Sequence, residues 1–159
     1  MALFFNSHRA KLDKKGRVSF PAEFRAALEE DIGDPTHKDY RAFYLRPHHL
    51  YDCCEGLSPK KLHSLAERLN QLDDYSEEAE RLRETLFGDT ARIVYDAEGR
   101  FSMPQNLIAD AKIGESLVFT ARGDTFHVWD EQAFEQRRAG QRQQGRTDRL
   151  TVPGERRAP

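Results

Sequence analysis

The chain has 159 residues, of which 38% are hydrophobic, and its 25 Lys and Arg against 27 Asp and Glu leave a formal net charge of -2. No run of about 18 apolar residues could span a bilayer, the first residues lack the pattern of a signal peptide, and the adjacent Cys53 and Cys54 do not suit a disulfide framework. These features exclude a membrane protein and predict a cytoplasmic one. A charge so close to zero argues at first sight against nucleic acid as a partner.

The first predicted element is a tight hairpin. Strand-like residues 10–12 and 18–20 flank a short polar turn. Within the turn, Asp13 can accept hydrogen bonds from the backbone that follows it, and Gly16 can take a positive φ. Arg17 comes directly after the turn, so we expect its side chain at the tip of the hairpin.

A helix and a second hairpin are predicted next. The helix starts after Pro21 and carries Phe24 and Leu28 one turn apart. The aromatic run at 42–45 and the pair at 50–51 favour two strands. The first unit of the chain is therefore expected to span residues 7–54.

Residues 55–89 predict a helical hairpin. Ser58 can cap one helix and Ser76 a second, which stops at Gly88. Apolar residues recur at helical spacing along both helices, at Leu62, Leu65, Leu69, Leu72, Ala79, Leu82 and Leu86. Each stripe is a packing surface, either for the chain's own strands or for a neighbouring subunit.

Residues 90–133 repeat the first unit. Residues 13–21 read Asp-Lys-Lys-Gly-Arg-Val-Ser-Phe-Pro, and residues 96–104 read Asp-Ala-Glu-Gly-Arg-Phe-Ser-Met-Pro, with an offset of 83. Five of these nine positions are identical in register, which indicates an internal duplication. A predicted helix and two strands follow here as well, at Leu107, Ala111, 117–120 and 126–129.

The chain ends in a basic segment. Asp130 can cap a last helix that contains Phe134, and residues 140–159 are rich in Gln, Arg, Gly and Pro without periodicity, which predicts a disordered basic tail. Residues 135–159 carry a net charge of +4, as do residues 1–25, so the part between them is strongly acidic. The tail either attracts phosphate without specificity or serves solubility alone.

Three cations, Lys14, Lys15 and Arg17, lie close together at the first turn. Arginine can bind guanine through two hydrogen bonds, and lysine neutralises phosphate. Basic surface turns without any such role are common, but both copies keep an arginine, Arg17 and Arg100, within the same Asp and Gly frame.

Residues 12–21 resemble the Asp-x-Lys-Gly-Arg signature of the MraZ family of bacterial transcriptional regulators, which belongs to the AbrB-like swapped-hairpin group. The similarity covers roughly residues 1–135. It implies an α+β fold in which two AbrB-like swapped-hairpin repeats, 7–54 and 90–133, form a small pseudo-twofold β-barrel, with 55–89 as a helical hairpin insert.

The resemblance also implies a function. Such chains assemble side by side into ring-shaped homo-oligomers, which bind direct repeats of double-stranded DNA in the promoter of the division and cell-wall gene cluster. A nucleoid-associated protein without cofactor, metal or membrane partner is therefore expected. The residues that the motif assigns to DNA are Lys14, Lys15, Arg17 and Arg100, and those that shape the two loops are Asp13, Gly16, Asp96 and Gly99.

Glu98 stands where the signature has lysine, which leaves three roles open for the second copy: DNA contact, structure, or a surface for a neighbouring subunit. Two other classes of function remain as alternatives. AbrB-like folds also occur in antitoxins, whose tails bind a toxin. An enzyme would need a metal site at residues 48–54, where His48, Asp52 and Cys54 share one face of a strand, but zinc-type spacing is absent and we predict neither a metal nor an enzyme.

Overall fold

The computed structural model describes residues 1–72, 74–148 and 152–154. The first repeat contains β1 (Ser7–Lys11), β2 (Arg17–Ser19), α1 (Ala22–Ile32), β3 (Ala42–Pro47) and β4 (Cys54–Leu57). The insert contains α2 (Pro59–Leu69) and α3 (Glu77–Arg83). The second repeat and the end of the chain contain β5 (Ala91–Val94), β6 (Arg100–Ser102), α4 (Gln105–Asp110), β7 (Ser116–Ala121), β8 (Thr125–Asp130) and α5 (Glu131–Asp148). Within the described ranges no helix is both long and apolar enough to cross a membrane.

Six strands form one antiparallel sheet in the order β1-β7-β8-β4-β3-β5. This order stays the same when each strand of one repeat is exchanged for its equivalent in the other. Each repeat thus places its first strand beside the other repeat's sheet strands, as β1 pairs with β7 and β5 with β3. The mixed α+β class is as predicted, and β1 and β5 are the edges of the sheet as it is hydrogen-bonded.

The second strands of the two repeats, β2 and β6, pair with each other as a separate two-stranded ribbon. Val18 lies opposite Phe101, and the backbone adds two equivalent hydrogen bonds, from Phe20 N to Gly99 O (2.7 Å) and from Met103 N to Gly16 O (2.8 Å). These two bonds are related by the same offset of 83 as the sequence repeat.

The predicted hairpin at each motif is therefore wrong, because the two strands on either side of the turn do not pair with each other. The turn itself is closed, because Asp13 N donates to Arg17 O (3.0 Å) and Asp96 N to Arg100 O (3.0 Å). Beyond the turn the strands separate, and each second strand joins the other repeat. This arrangement buries Val18 and Phe101 together in one core, which a hairpin within either repeat would not do.

Aromatic side chains from both repeats fill this core. Phe20 stacks on Phe43, with ring centroids 4.3 Å apart, and Phe101, Phe119 and Phe126 surround the pair. Full burial of one such ring stabilises the fold by roughly 1.5–3 kcal/mol. Since the ring cluster draws on both copies, neither repeat has a core of its own.

Residues 50–51, predicted as a strand, lie in a loop instead. The Nδ1 atom of His48 accepts hydrogen bonds from the backbone amides of Leu50 (3.0 Å) and Tyr51 (3.3 Å), which closes a tight turn after β3. Leu50 is 68% exposed, so its apolar character does not reflect burial in a sheet. The strand begins later, at Cys54.

The insert packs on its own chain. Ser58 Oγ accepts from Lys61 N (3.0 Å) and Ser76 Oγ from Ala79 N (3.1 Å), so both predicted serines cap their helices. A π-helical turn, Glu84–Gly88, extends α3. Leucines of the insert form a second buried cluster with Leu57 of β4, which settles their packing against the chain's own sheet; they are Leu62, Leu69 and Leu86.

Helix α5 is longer than predicted. Residues 140–148, expected to be disordered, continue the helix that starts at Glu131. Its first turns are anchored by the buried Phe134 and by Arg9, whose guanidinium forms ion pairs with Glu131 (3.0 Å) and Glu135. Gln and Arg are good helix formers and propagate the helix from that anchor. Most of the remaining tail, 149–151 and 155–159, lies outside the described residues.

Candidate nucleic-acid interface

The β2–β6 ribbon has one buried and one exposed face. Side chains alternate along a strand, so Val18 and Phe101 point into the core. The exposed face carries four polar side chains, from Arg17, Ser19, Arg100 and Ser102. An antiparallel two-stranded ribbon has a width that the major groove of DNA admits.

The first loop is held by one carboxylate. Asp13 Oδ1 accepts from the backbone amides of Lys15 (2.9 Å) and Arg17 (2.8 Å), while Oδ2 accepts from Arg17 Nε (2.8 Å). These hydrogen bonds, chiefly those from Arg17, lower the pKa of Asp13, so the carboxylate is ionised at neutral pH. Gly16 takes a φ of +79°, and a Cβ there would lie 3.3 Å from Gln105 Nε2.

The second loop repeats this geometry. Asp96 Oδ1 accepts from the amides of Glu98 (3.0 Å) and Arg100 (2.9 Å), and Oδ2 accepts from Arg100 Nε (3.1 Å). The hydrogen bonds from Arg100 lower the pKa of Asp96 as well. Gly99 has a φ of +86°, and a Cβ on it would lie 2.6 Å from the guanidinium carbon of Arg25. The side chain of Arg25 thus packs directly against this loop.

The two loops differ in charge. Lys14 and Lys15 are exposed and form no ion pair with any described residue. The side chain of Arg17 forms hydrogen bonds to described residues through Nε alone. In the second loop, Glu98 Oε2 lies 3.7 Å from Arg100 Nη2. The first loop therefore presents free positive charge, whereas the acids of the second loop outnumber its one arginine.

The structure places two of the four predicted DNA-contacting residues, Arg17 and Arg100, on the same exposed face of the ribbon, and Lys14 and Lys15 lie exposed in the turn before β2. Ser19 pairs with Arg100 and Ser102 with Arg17, so the two arginines are offset by two positions, about 7 Å along the ribbon. The sequence analysis did not predict that Ser19 and Ser102 expose their hydroxyl groups on this face. The signal was available, because both copies have a serine two residues after the arginine. The support that Arg25 gives to Gly99 had no signal, because it depends on the fold.

The side chains that an enzyme would need for a metal site at 48–54 do not come together. Asp52 pairs with Lys112 (2.9 Å), and the Cys54 thiol faces the carbonyl oxygen of Leu107 (3.8 Å). Burial raises the pKa of the Cys54 thiol to about 12, which keeps it protonated and a poor ligand. The three side chains do not share one face of a strand, because His48 and Asp52 lie in the loop before β4.

Comparison with known proteins identifies the family of this chain. The family model described as "MraZ protein, putative antitoxin-like" matches residues 86–154. A protein of Gluconobacter oxydans named "Transcriptional regulator MraZ" is 38% identical over 149 residues, covering 92% of this chain and 87% of the relative. Proteins of the same name from Gluconacetobacter diazotrophicus (35% identical, covering 98% of this chain and 96% of the relative) and Rickettsia felis (32%, covering 85% and 86%) are also similar. The resemblance seen in the sequence is confirmed, and the chain belongs to the MraZ family, whose named relatives are transcriptional regulators.

Proposed function

We propose that this chain is a sequence-specific DNA-binding transcriptional regulator without enzymatic activity, which acts in the cytoplasm at the nucleoid. The observation that carries this proposal is the first loop, where Lys14, Lys15 and Arg17 lie exposed at the end of a groove-sized ribbon. Outside the loop, none of them has a carboxylate partner among the described residues. The names of the relatives support the same function.

Arg17 reads a base in this proposal, and the lysines bind phosphate. Asp13 holds Arg17 through Nε and leaves Nη1 and Nη2 without a hydrogen-bond partner among the described residues, which suits the paired acceptors O6 and N7 of guanine. Because Asp13 orients the side chain before DNA arrives, less rotamer freedom is lost on binding. Arg100 contributes a second, weaker contact, since Glu98 competes for it.

A single ribbon makes too few contacts for the affinity of about 10⁻⁸ M or tighter that specific sites usually show. We therefore propose a ring-shaped homo-oligomer on direct promoter repeats of the division and cell-wall gene cluster. Several subunits on spaced repeats gain effective concentration without new contacts. Within each subunit, the swapped-hairpin repeats 7–54 and 90–133 form the pseudo-twofold barrel, in which the ribbon covers one face of the sheet, and 55–89 is the insert.

The test is a titration of Lys15→Ala and Arg17→Ala against the DNA upstream of the chain's own gene. Loss of the arginine should weaken specific binding by about 1–3 kcal/mol and relax the base preference at one position. Loss of the lysine should weaken binding to all sequences alike. Arg81→Ala, on the exposed side of α3, is the matched control. Unchanged affinity in both loop variants would refute the assigned contacts.

An antitoxin-like module is the second candidate, favoured by the description of the family model. In that case the partner is a toxin protein and DNA binding is secondary. Affinity purification of the full chain separates the two functions. A stoichiometric toxin, together with no retention of promoter DNA, would support the antitoxin reading against the regulator.

A further inference from the structure

A cleft lies under helix α5, on the sheet face opposite to the ribbon. Side chains alternate along β7 and β8, so Phe119 and Phe126 enter the core beneath the ribbon while Thr120 and His127 face α5. The cleft has a volume of about 230 Å³. Its charged lining comes from the turn between β7 and β8 and from the helix, at Arg122, Arg137 and Arg138.

These three arginines are not neutralised by acids. None of them forms an ion pair with a carboxylate of the described residues, and Arg137 and Arg138 are nevertheless half-buried. Aromatic rings hold the two helical arginines instead. The guanidinium of Arg137 lies 3.9 Å from the ring centre of Tyr51, and that of Arg138 lies 5.7 Å from the ring centre of Phe134.

Carboxylates on β4 and α5, which lie beside the cleft, already have partners. Glu55 binds Arg46 (3.2 Å), and Glu131 and Glu135 bind Arg9. Burial is the main cause that lowers the pKa of His127 to about 3, and the neighbouring Arg122 and Arg137 lower it further, so this imidazole adds no positive charge at neutral pH. The floor adds hydroxyl groups from Ser7 and Thr120, whose oxygens are 2.9 Å apart.

We propose that this cleft binds a phosphate group through Arg122, Arg137 and Arg138, with the two hydroxyls of the floor as additional donors. Planar guanidinium groups match the oxygens of phosphate through paired, charge-assisted hydrogen bonds. The ligand is either a free phosphate compound or a phosphate of the DNA backbone. The site is separate from the ribbon and does not depend on the role proposed for it.

A metal ion is the competing ligand of His127, which lines the cleft and also lies close to His48 and Glu55. His48, Glu55 and His127 place one ligand atom each within 4.8 Å of one another. However, His48 Nδ1 accepts from two backbone amides, so the proton of its neutral ring sits on Nε2 and neither nitrogen is free. Glu55 is held by Arg46, and the neighbouring guanidinium groups repel a cation. These contacts favour an anion.

The test is calorimetric titration of the full chain with inorganic phosphate and with pyrophosphate, at neutral pH and constant ionic strength. The cleft variant is the double substitution Arg122→Gln and Arg138→Gln. Arg142→Gln, an exposed arginine of the same helix outside the cleft, is the control. Saturable binding by the wild type and the control, weakened at least about tenfold in the cleft variant, is expected. No saturable binding by the wild type, or equal binding by all three proteins, would overturn the proposal.

Two further titrations identify the source of the phosphate and test the competing metal ion. Weaker promoter binding by the cleft variant assigns the phosphate to the DNA backbone, and unchanged promoter binding assigns it to a free ligand. Stoichiometric zinc binding that is lost in His127→Asn, without phosphate binding by the wild type, would make the cleft a metal site instead. Since phosphate is titrated without DNA, failure of the ribbon as a DNA reader leaves this result intact.

Discussion

At the scale of single residues, two differences in side-chain charge separate the two loops. Both share an Asp carboxylate that holds two backbone amides and the Nε of an arginine. The second loop has Ala97 and Glu98 where the first has Lys14 and Lys15, which changes the loop charge from positive to negative. Only the first loop thus presents its arginine with the local charge that DNA attracts.

Glu98→Lys should therefore turn the second loop into a DNA-binding loop. The substitution removes the carboxylate that lies 3.7 Å from Arg100 Nη2 and adds a cation at the ribbon. We expect tighter promoter binding and a log–log salt dependence that is steeper by about one unit, because one more phosphate is neutralised. Fluorescence anisotropy across a salt series measures both. Glu80→Lys on α3 makes the same change in net charge away from the ribbon, and equal behaviour of the two variants would place the second loop outside the interface.

At the scale of elements, the junction of β4 and β8 depends on a glycine. Gly56 pairs with Phe126, and a Cβ at position 56 would lie 2.1 Å from the Phe126 ring. β4 therefore passes so close to the Phe126 ring that any side chain at position 56 would displace the ring or the strand. Nothing in the local sequence marks this glycine, because the ring that it accommodates comes from the other repeat.

Gly56→Ala should destabilise the fold by about 1–3 kcal/mol, since the Phe126 ring or the strand must shift to admit a methyl group. Gly88→Ala is the control, because a Cβ there meets nothing within 4 Å. Urea unfolding at one protein concentration measures the free energy of unfolding for both variants. A loss for Gly56→Ala no greater than that for the control would mean that the ring adapts freely.

At the scale of the whole molecule, the two repeats form a single cooperative unit. Phe20 of the first repeat contacts Phe101, Phe119 and Phe126 of the second. The ribbon and the exchanged first strands connect the same two copies. Neither copy can thus unfold without exposing the apolar core of the other.

Phe20→Ala should lower the free energy of unfolding by about 3–5 kcal/mol and leave one transition. Trp129 fluorescence reports on the second repeat, so its midpoint should fall together with the midpoint from circular dichroism. Val94→Ala, at an exposed position of an edge strand, should change little. A Trp129 midpoint that stays in place while the circular dichroism midpoint falls would show that the repeats unfold separately.

Local features were predicted well from the sequence because their determinants lie within a few residues. The serine caps of α2 and α3 and the Asp and Gly turns are of this kind. The Leu50–Tyr51 segment was misread, because a histidine side chain holds it in a turn despite its apolar composition. Residues 140–148 were misread for the opposite reason, since contacts at Phe134 and Arg9 anchor a helix whose own sequence has no apolar periodicity.

The sequence by itself determined that the chain is duplicated, which loop carries the free positive charge and which family it belongs to, because these properties reside in the order of residues. Only the tertiary structure decided that β2 and β6 pair with each other, that Arg17 and Arg100 share one exposed face, and that three arginines line one cleft under α5. Those arrangements join residues from distant parts of the chain. They form because both repeats bury their apolar residues in one common core. The sequence pattern of a single repeat therefore does not predict them.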